Sequence, residues 1–243
     1  MIIALIGDIH GNAPALETVL RDARERGARR IYNVGDIVGE APFPNETIKL
    51  LLAYNVLSIR GNFDRNVFDF ASRIDRIEAR KHPARVAAVR FTDGVITTRR
   101  RRYLGQLPTQ RRARVGGVKL LFVHGSPRKE NERLVARTAK SKLAALATLT
   151  DADVIVCGHT HRPFVRRAAG KLFINTGSVG RPAGDPRACY VLAECAKRKI
   201  KPKIVRLRYP VDEVVAAVDR FRLPGALKDV FRRGRKLNDV GEK

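Results

Sequence analysis

The chain has no tryptophan, one methionine and three cysteines in 243 residues. Cys157, Cys189 and Cys195 are odd in number and show no CxxC spacing, which does not suggest a disulfide framework and reads as buried or semi-buried thiols. No apolar run approaches the ~20 residues of a membrane span. The longest N-terminal run, 2–6, lacks the charged flank and cleavage site of a secretion signal, so a cytoplasmic protein without membrane contact is expected. Acidic residues are scarce as well: 24 Asp and Glu face 49 Lys and Arg, for a net charge of +25. The basic residues cluster at 99–102, 111–114, 197–203 and 232–236. Such a field concentrates phosphate-bearing substrates or nucleic acid. No aromatic residues interleave with the basic runs as a base-stacking surface requires, and a charge-rich, Met- and Cys-poor chain equally suits the ion-pairing surface of a thermophile.

A 44% hydrophobic content over this length is enough for one full domain with a sizeable core, with or without a small appendage. The apolar pattern alternates between short runs and helical spacing. Strands are expected at 2–6, 31–34, 56–59, 118–123, 153–157, 172–175, 189–192 and 204–209, and helices from Pro14 to about Gly27 and at 44–54 and 132–149. Residues 65–92 read as basic and loosely helical with a break before Pro83, and 93–114 as loop-rich and partly helical. After Pro210 two short helical stretches, 211–221 and 224–233, lead to a polar end. The alternation argues an α/β layered fold. We read 1–209 as one domain and 210–243 as a basic helical extension packed on it.

The expected strands end in a recurring way. Gly7-Asp8-Ile9-His10-Gly11-Asn12 follows the first, Gly35-Asp36-Ile37-Val38-Gly39 the second and Gly61-Asn62-Phe63-Asp64 the third. Later strands run into His124-Gly125-Ser126-Pro127 and Gly158-His159-Thr160-His161. Loops at the carboxyl ends of strands gather above a rigid sheet, and glycine there lets short side chains converge. Asp, His and Asn are oxygen and nitrogen ligands suited to Mn, Fe, Zn, Ni or Co. Four of the five histidines fall in these segments; His82 does not and reads as an ordinary surface or core residue.

Taken together the five segments resemble the signature of the calcineurin-like metallophosphoesterase superfamily, D-x-H, G-D, G-N-H-D or a variant, H and G-H-x-H. The similarity runs from Met1 to about Tyr209. Asn175-Thr176-Gly177-Ser178-Val179-Gly180 and the Pro42-Phe43-Pro44-Asn45 that follows Gly39 look most like its small prokaryotic phosphodiesterase-like branch. The resemblance implies a four-layer β-sandwich flanked by helices. It implies one metal held by Asp8, His10, Asp36 and His161 and a second held by Asp36, Asn62, His124 and His159, with Asp36 bridging. Two divalent transition metal ions are thus expected, Mn foremost, with Fe, Zn, Ni and Co as alternatives.

The implied reaction is hydrolysis of a phosphate ester by metal-activated hydroxide, with Asn62 and Asp64 as catalytic residues. Arg60, Arg162 and Arg181, beside the motifs, are candidate clamps on the substrate phosphate. One position departs from the pattern: Phe63 stands where the superfamily carries histidine, and phenylalanine can neither donate nor accept a proton. That departure favours phosphodiesters or activated aryl phosphates over ordinary monoesters. Two other classes of function stay open, a nucleic-acid-processing nuclease, favoured by the charge, and a non-catalytic scaffold of the same fold, resembling a retromer subunit.

Overall fold

A computed structural model describes residues 1–235 and Leu237. In chain order the elements are β1 (Ile2–Ile6), α1 (Ala13–Glu25), β2 (Arg30–Asn33), α2 (Pro44–Ala53), β3 (Leu57–Ser58), α3 (Asn62–Phe68), α4 (Phe70–Glu78), α5 (Pro83–Val95), α6 (Thr98–Gln106), β4 (Gln110–Val115), β5 (Val118–Val123), α7 (Lys140–Ala147), β6 (Val154–Cys157), β7 (Phe164–Ala168), β8 (Lys171–Asn175), β9 (Ala188–Ala196), β10 (Lys199–Leu207), α8 (Val211–Arg220) and α9 (Ala226–Arg233). They form two mixed five-stranded sheets, ordered β10-β9-β1-β2-β3 and β4-β5-β6-β8-β7.

Strand alternation builds the layers. Ile3 and Leu5 of β1 and Tyr32 of β2 point into the space between the sheets and meet Leu120, Phe122, Val154, Val156 and Ile174. Tyr32 and Phe122 stack there at 4.5 Å between ring centroids. Ala4, Ile6 and Ile31 point the other way, against Leu16, Val19 and Leu20 of α1 and Ile48 and Leu51 of α2. On the outer face of the second sheet Leu121, Ile155 and Phe173 pack on Leu143 and Leu146 of α7. The expected β-sandwich flanked by helices is therefore present. No helix among the described residues is long and apolar enough to cross a membrane.

Several expected elements differ. The helix expected over 132–149 is formed only by α7. Residues before it stay irregular because other groups take their backbone hydrogen bonds. Thr138 Oγ1 accepts from the Val135 amide, Thr160 Oγ1 donates to Leu134 O, and Arg166 donates to Ala136 O. β4 and β7 were not expected at all. They are the two edges of the second sheet and carry outward arginines (Arg112, Arg114 and Arg167) instead of an apolar run. Over 65–92, where loose helix was expected, the chain forms α4 and α5, which pack on each other and on α3.

After β10, α8 and α9 bury Val214, Val218, Leu227, Val230 and Phe231 against Ala41 and against Ala84 and Ala88 of α5. Gly234 ends α9 at φ 62°, and its carbonyl accepts from the Gly184 amide. Lys236 and residues 238–243 of the expected extension lie outside the described residues.

Candidate metal centre

β1, β2 and β3 run parallel in one sheet, and β5, β6 and β8 in the other. Their carboxyl ends deliver Asp8 and His10, Asp36, Asn62, His124, and His159 and His161 to one place. Asp8, His10, Asp36, His159 and His161 all adopt left-handed backbone, with φ between 52° and 65°. Such conformations cost about 1–3 kcal/mol each and persist only where the surroundings over-determine them. They account for half of the ten positive-φ non-glycine residues among those described. The backbone is thus bent, at a cost, to turn these side chains inward. Glycine is required beside them: a Cβ on Gly158 would lie 2.4 Å from Asp8 Oδ2. Asn175 braces the same loop by donating to Gly158 O at 2.7 Å, and Ser178 Oγ donates to Asp8 O at 2.6 Å.

The inward atoms fall in two groups that share Asp36, and within each group they lie within 4.8 Å of one another. In the first, His10 Nε2 and His161 Nε2 are 3.1 Å apart, His161 Nε2 is 3.3 Å from Asp8 Oδ1, and His10 Nε2 is 3.7 Å from Asp36 Oδ2. In the second, His124 Nε2 lies 3.3 Å from Asp36 Oδ2, 3.3 Å from His159 Nδ1 and 3.1 Å from Asn62 Oδ1. The opposite ring nitrogens of His124 and His161 are already used, whereas His10 Nδ1 is buried without a partner. His124 Nδ1 is 2.8 Å from Val34 O and His161 Nδ1 is 2.6 Å from Arg181 O. An N–H at each of those positions fixes the tautomer and leaves Nε2 as a bare lone pair. Nitrogens facing nitrogens and carboxylates at these separations need either a proton or a cation between them. Without a metal the chain supplies a proton: burial works against it, but the Asp36 charge pushes His124 up to about 10. Burial meanwhile drives His10 and His159 down to about 4. Asp36 stays well below the carboxylate range because the His124 and His10 charges outweigh its burial.

Phe63 closes one side of the first group. Its ring meets His10 edge-on at 4.8 Å, and the Arg85 guanidinium lies 5.9 Å from its centroid. Its amide donates to Asp36 Oδ1 at 2.7 Å.

Two of the expected site residues stand apart from the cleft. Asp64, expected to be catalytic, is fully buried, and both carboxylate oxygens are occupied by main chain. Oδ1 accepts from the Ile37 and Val38 amides at 2.8 and 3.2 Å, and Oδ2 from Gly61 at 2.9 Å. Burial and the Asp36 charge push its pKa up to about 7, against the pull of those three amides. It ties the loop after β2 to the start of α3 and does not reach the cleft. Arg60, expected to clamp substrate, is not among the residues lining the cleft; its amide donates to Pro108 O in the α6–β4 connection.

The cleft over the two groups has a volume of about 510 Å³, and Arg162 and Arg181 do line it. So do Lys81, Arg85, Arg133 and Arg235, none of which sequence reasoning singled out. Glu40 lies beneath, 1% exposed, and pairs with both Arg181 and Arg85, the latter at 2.8 Å. A signal for Glu40 existed, since it directly follows the Gly35–Gly39 segment; for the others the placement is tertiary.

A sequence model described as the calcineurin-like phosphoesterase superfamily domain matches residues 1–198. The chain belongs to that superfamily. Among curated proteins, this calcineurin-like phosphoesterase is 32% identical to an uncharacterised protein of Methanocaldococcus jannaschii, over 96% of this chain and 98% of that one. It is 28% identical to the phosphodiesterase YfcE of Escherichia coli, over 78% of this chain and 85% of the relative. Among solved structures, a metallophosphoesterase from Sphaerobacter thermophilus superposes with a TM-score of 0.77 at 27% identity, covering 96% and 99% of the two chains. The family and the buried Asp and His cluster together indicate a divalent-metal phosphoric ester hydrolase.

Proposed function

We propose that the chain is a dinuclear metal-dependent phosphoesterase that favours phosphodiesters and activated aryl phosphates over ordinary monoesters. The observation that carries this reading is the convergence of bare acceptor atoms in two groups that share Asp36. Asp8, His10, Asp36 and His161 would hold one cation, and Asp36, Asn62, His124 and His159 the other. The donor set is mixed nitrogen and oxygen, which suits Mn and accepts Fe, Zn, Ni or Co. Bound there, divalent ions would supply Lewis acidity to activate water and positive charge to offset the phosphoryl oxygens.

The protein's own groups would do the rest. Val34 O and Arg181 O hold the His124 and His161 rings in orientation. Arg85 and Arg181, fixed by Glu40, present guanidinium groups to the non-bridging oxygens of a phosphate in the cleft, with Arg162 and Lys81 on its rim. Phe63 fills the place where a histidine would meet the leaving oxygen, and keeps water from His10 without offering a proton. Asp64, tied to three amides, is no substitute. A leaving group must therefore depart without an imidazole acid, which favours diesters and aryl esters with acidic alcohols. The scaffold reading is disfavoured by the complete ligand set.

The test is a panel of chromogenic diesters and monoesters assayed with Mn, Ni, Co, Zn and Mg, with Asp36→Asn as control. Metal-dependent diester turnover that Asp36→Asn loses is the expected outcome. A clear preference for alkyl monoesters, read by released phosphate beside the chromogenic panel, or turnover that Asp36→Asn retains, refutes it.

A further inference from the structure

A second concavity of about 320 Å³ opens off the metal cleft, and the two share Asn62, Lys81, Arg133 and His159. Arg65, Arg73, Arg76 and Arg80 complete its cationic lining, and no carboxylate lines it. Arg73, Arg76 and Arg80 are spaced i, i+3, i+7 along α4 and the turn that continues it, so they share one face. Buried Ile77 sits among them and anchors that face to the core. Arg65 pairs with Glu130, and Arg73 donates to Asn66 Oδ1 at 3.0 Å. Arg76, Arg80, Lys81 and Arg133 make no ion pair among the described residues, whereas in the neighbouring lobe Glu40 neutralises part of the charge on Arg85 and Arg181. The cations also press on one another: burial first, then the charges of Arg85 and Arg76, lowers the pKa of Lys81. A concave cation cluster whose charge only Glu130 offsets by an ion pair, beside a phosphoryl site, calls for an anion.

We propose that this lobe is a second phosphate subsite, occupied by a phosphoryl group attached to the substrate beyond the scissile one. It deepens the phosphoesterase reading and rests on it: preferred substrates carry at least two phosphoryl groups, one over the metal ligands and one between α4 and Arg133. A single-stranded nucleic acid fits the lining less well, because such binders stack bases on aromatic side chains. Phe63 is the one aromatic side chain in the lining of either lobe apart from the His159 and His161 ligands; it is 8% exposed and packed on His10.

The test uses the full chain stripped of metal, at fixed ionic strength, with inorganic tripolyphosphate and orthophosphate as calorimetric probes. Arg76 and Arg80 are both exposed, so Arg76→Gln/Arg80→Gln leaves the core intact. Charge-assisted contacts of this kind are each worth about ten-fold in affinity or more. Tripolyphosphate is expected to bind wild type at least about ten-fold more tightly than orthophosphate, and the double variant to lose most of that advantage, with orthophosphate changing less than about three-fold. Unchanged tripolyphosphate affinity in the variant overturns the proposal. So does an equal loss for both probes, which marks a diffuse field, or a loss confined to a single-stranded oligonucleotide. Binding here is read without metal or turnover, so a failure of the substrate panel and a failure of this subsite are separate results.

Discussion

Replacing Glu40 with glutamine tests how the cleft arginines are held. The carboxylate is 1% exposed and sits between Arg85 and Arg181. Burial opposes its charge, yet the two guanidinium groups, Arg181 ahead of Arg85, hold its pKa down from 4.5 to about 2. That drop corresponds to about 3 kcal/mol favouring the ionised folded state. Glu40→Gln removes the charge and leaves both arginines facing a neutral amide, a loss that for buried pairs runs to about 3–5 kcal/mol. The folded pKa is depressed, so this stability is fully present above 4.5 and fades as pH falls through about 2. Urea unfolding of the metal-free proteins should show a gap of about 3 kcal/mol that is flat from pH 5 to 8 and narrows in acid. Orthophosphate, held by the same arginines, should narrow the gap at neutral pH. A difference below about 1 kcal/mol at pH 7, the range of an exposed pair, or one that persists undiminished in acid, refutes the reasoning.

Phe63→His restores a proton donor beside His10 and the cleft; monoester turnover relative to diester turnover should rise, by about ten-fold or more if the imidazole acts as an acid. No change, or a fall, in that ratio counts against the explanation given for Phe63. Chelation should abolish turnover, and restoring Mn at about a hundred times its dissociation constant should stabilise the wild type by about 2.7 kcal/mol in thermal unfolding. Asp36→Asn should lack most of that gain, and an equal gain would place the metal elsewhere.

Most of the residues that converge in the buried Asp and His cluster were legible in the sequence, because each directly follows a short apolar strand and is marked by glycine. Asp8, Asp36 and His124 need no tertiary information beyond the rule that strand ends converge. The role of Asp64 was not legible: a carboxylate after Gly61-Asn62-Phe63 can orient a neighbour or accept main-chain amides, and only the path of the Gly35–Gly39 loop decides for the latter. The cationic lining was hidden for a different reason. With 49 basic residues the sequence offers arginine nearly everywhere. Which of them reach the cleft depends on α4 and α5 leaning over it and on Gly234 turning Arg235 toward it. Edge strands escaped notice because β4 and β7 bury little and so lack the apolar signature. The left-handed backbones at Asp8, His10, Asp36, His159 and His161 leave only a weak sequence signal: Asp and His are enriched at positive φ, yet most copies of either residue do not adopt it.

The central claim is that one buried carboxylate, Asp36, serves two cations. Anomalous diffraction from crystals saturated with Mn measures this most directly. The account predicts two peaks, one among Asp8, His10 and His161 and the other among Asn62, His124 and His159, both in contact with Asp36. A single peak, or two that do not share Asp36, would contradict it.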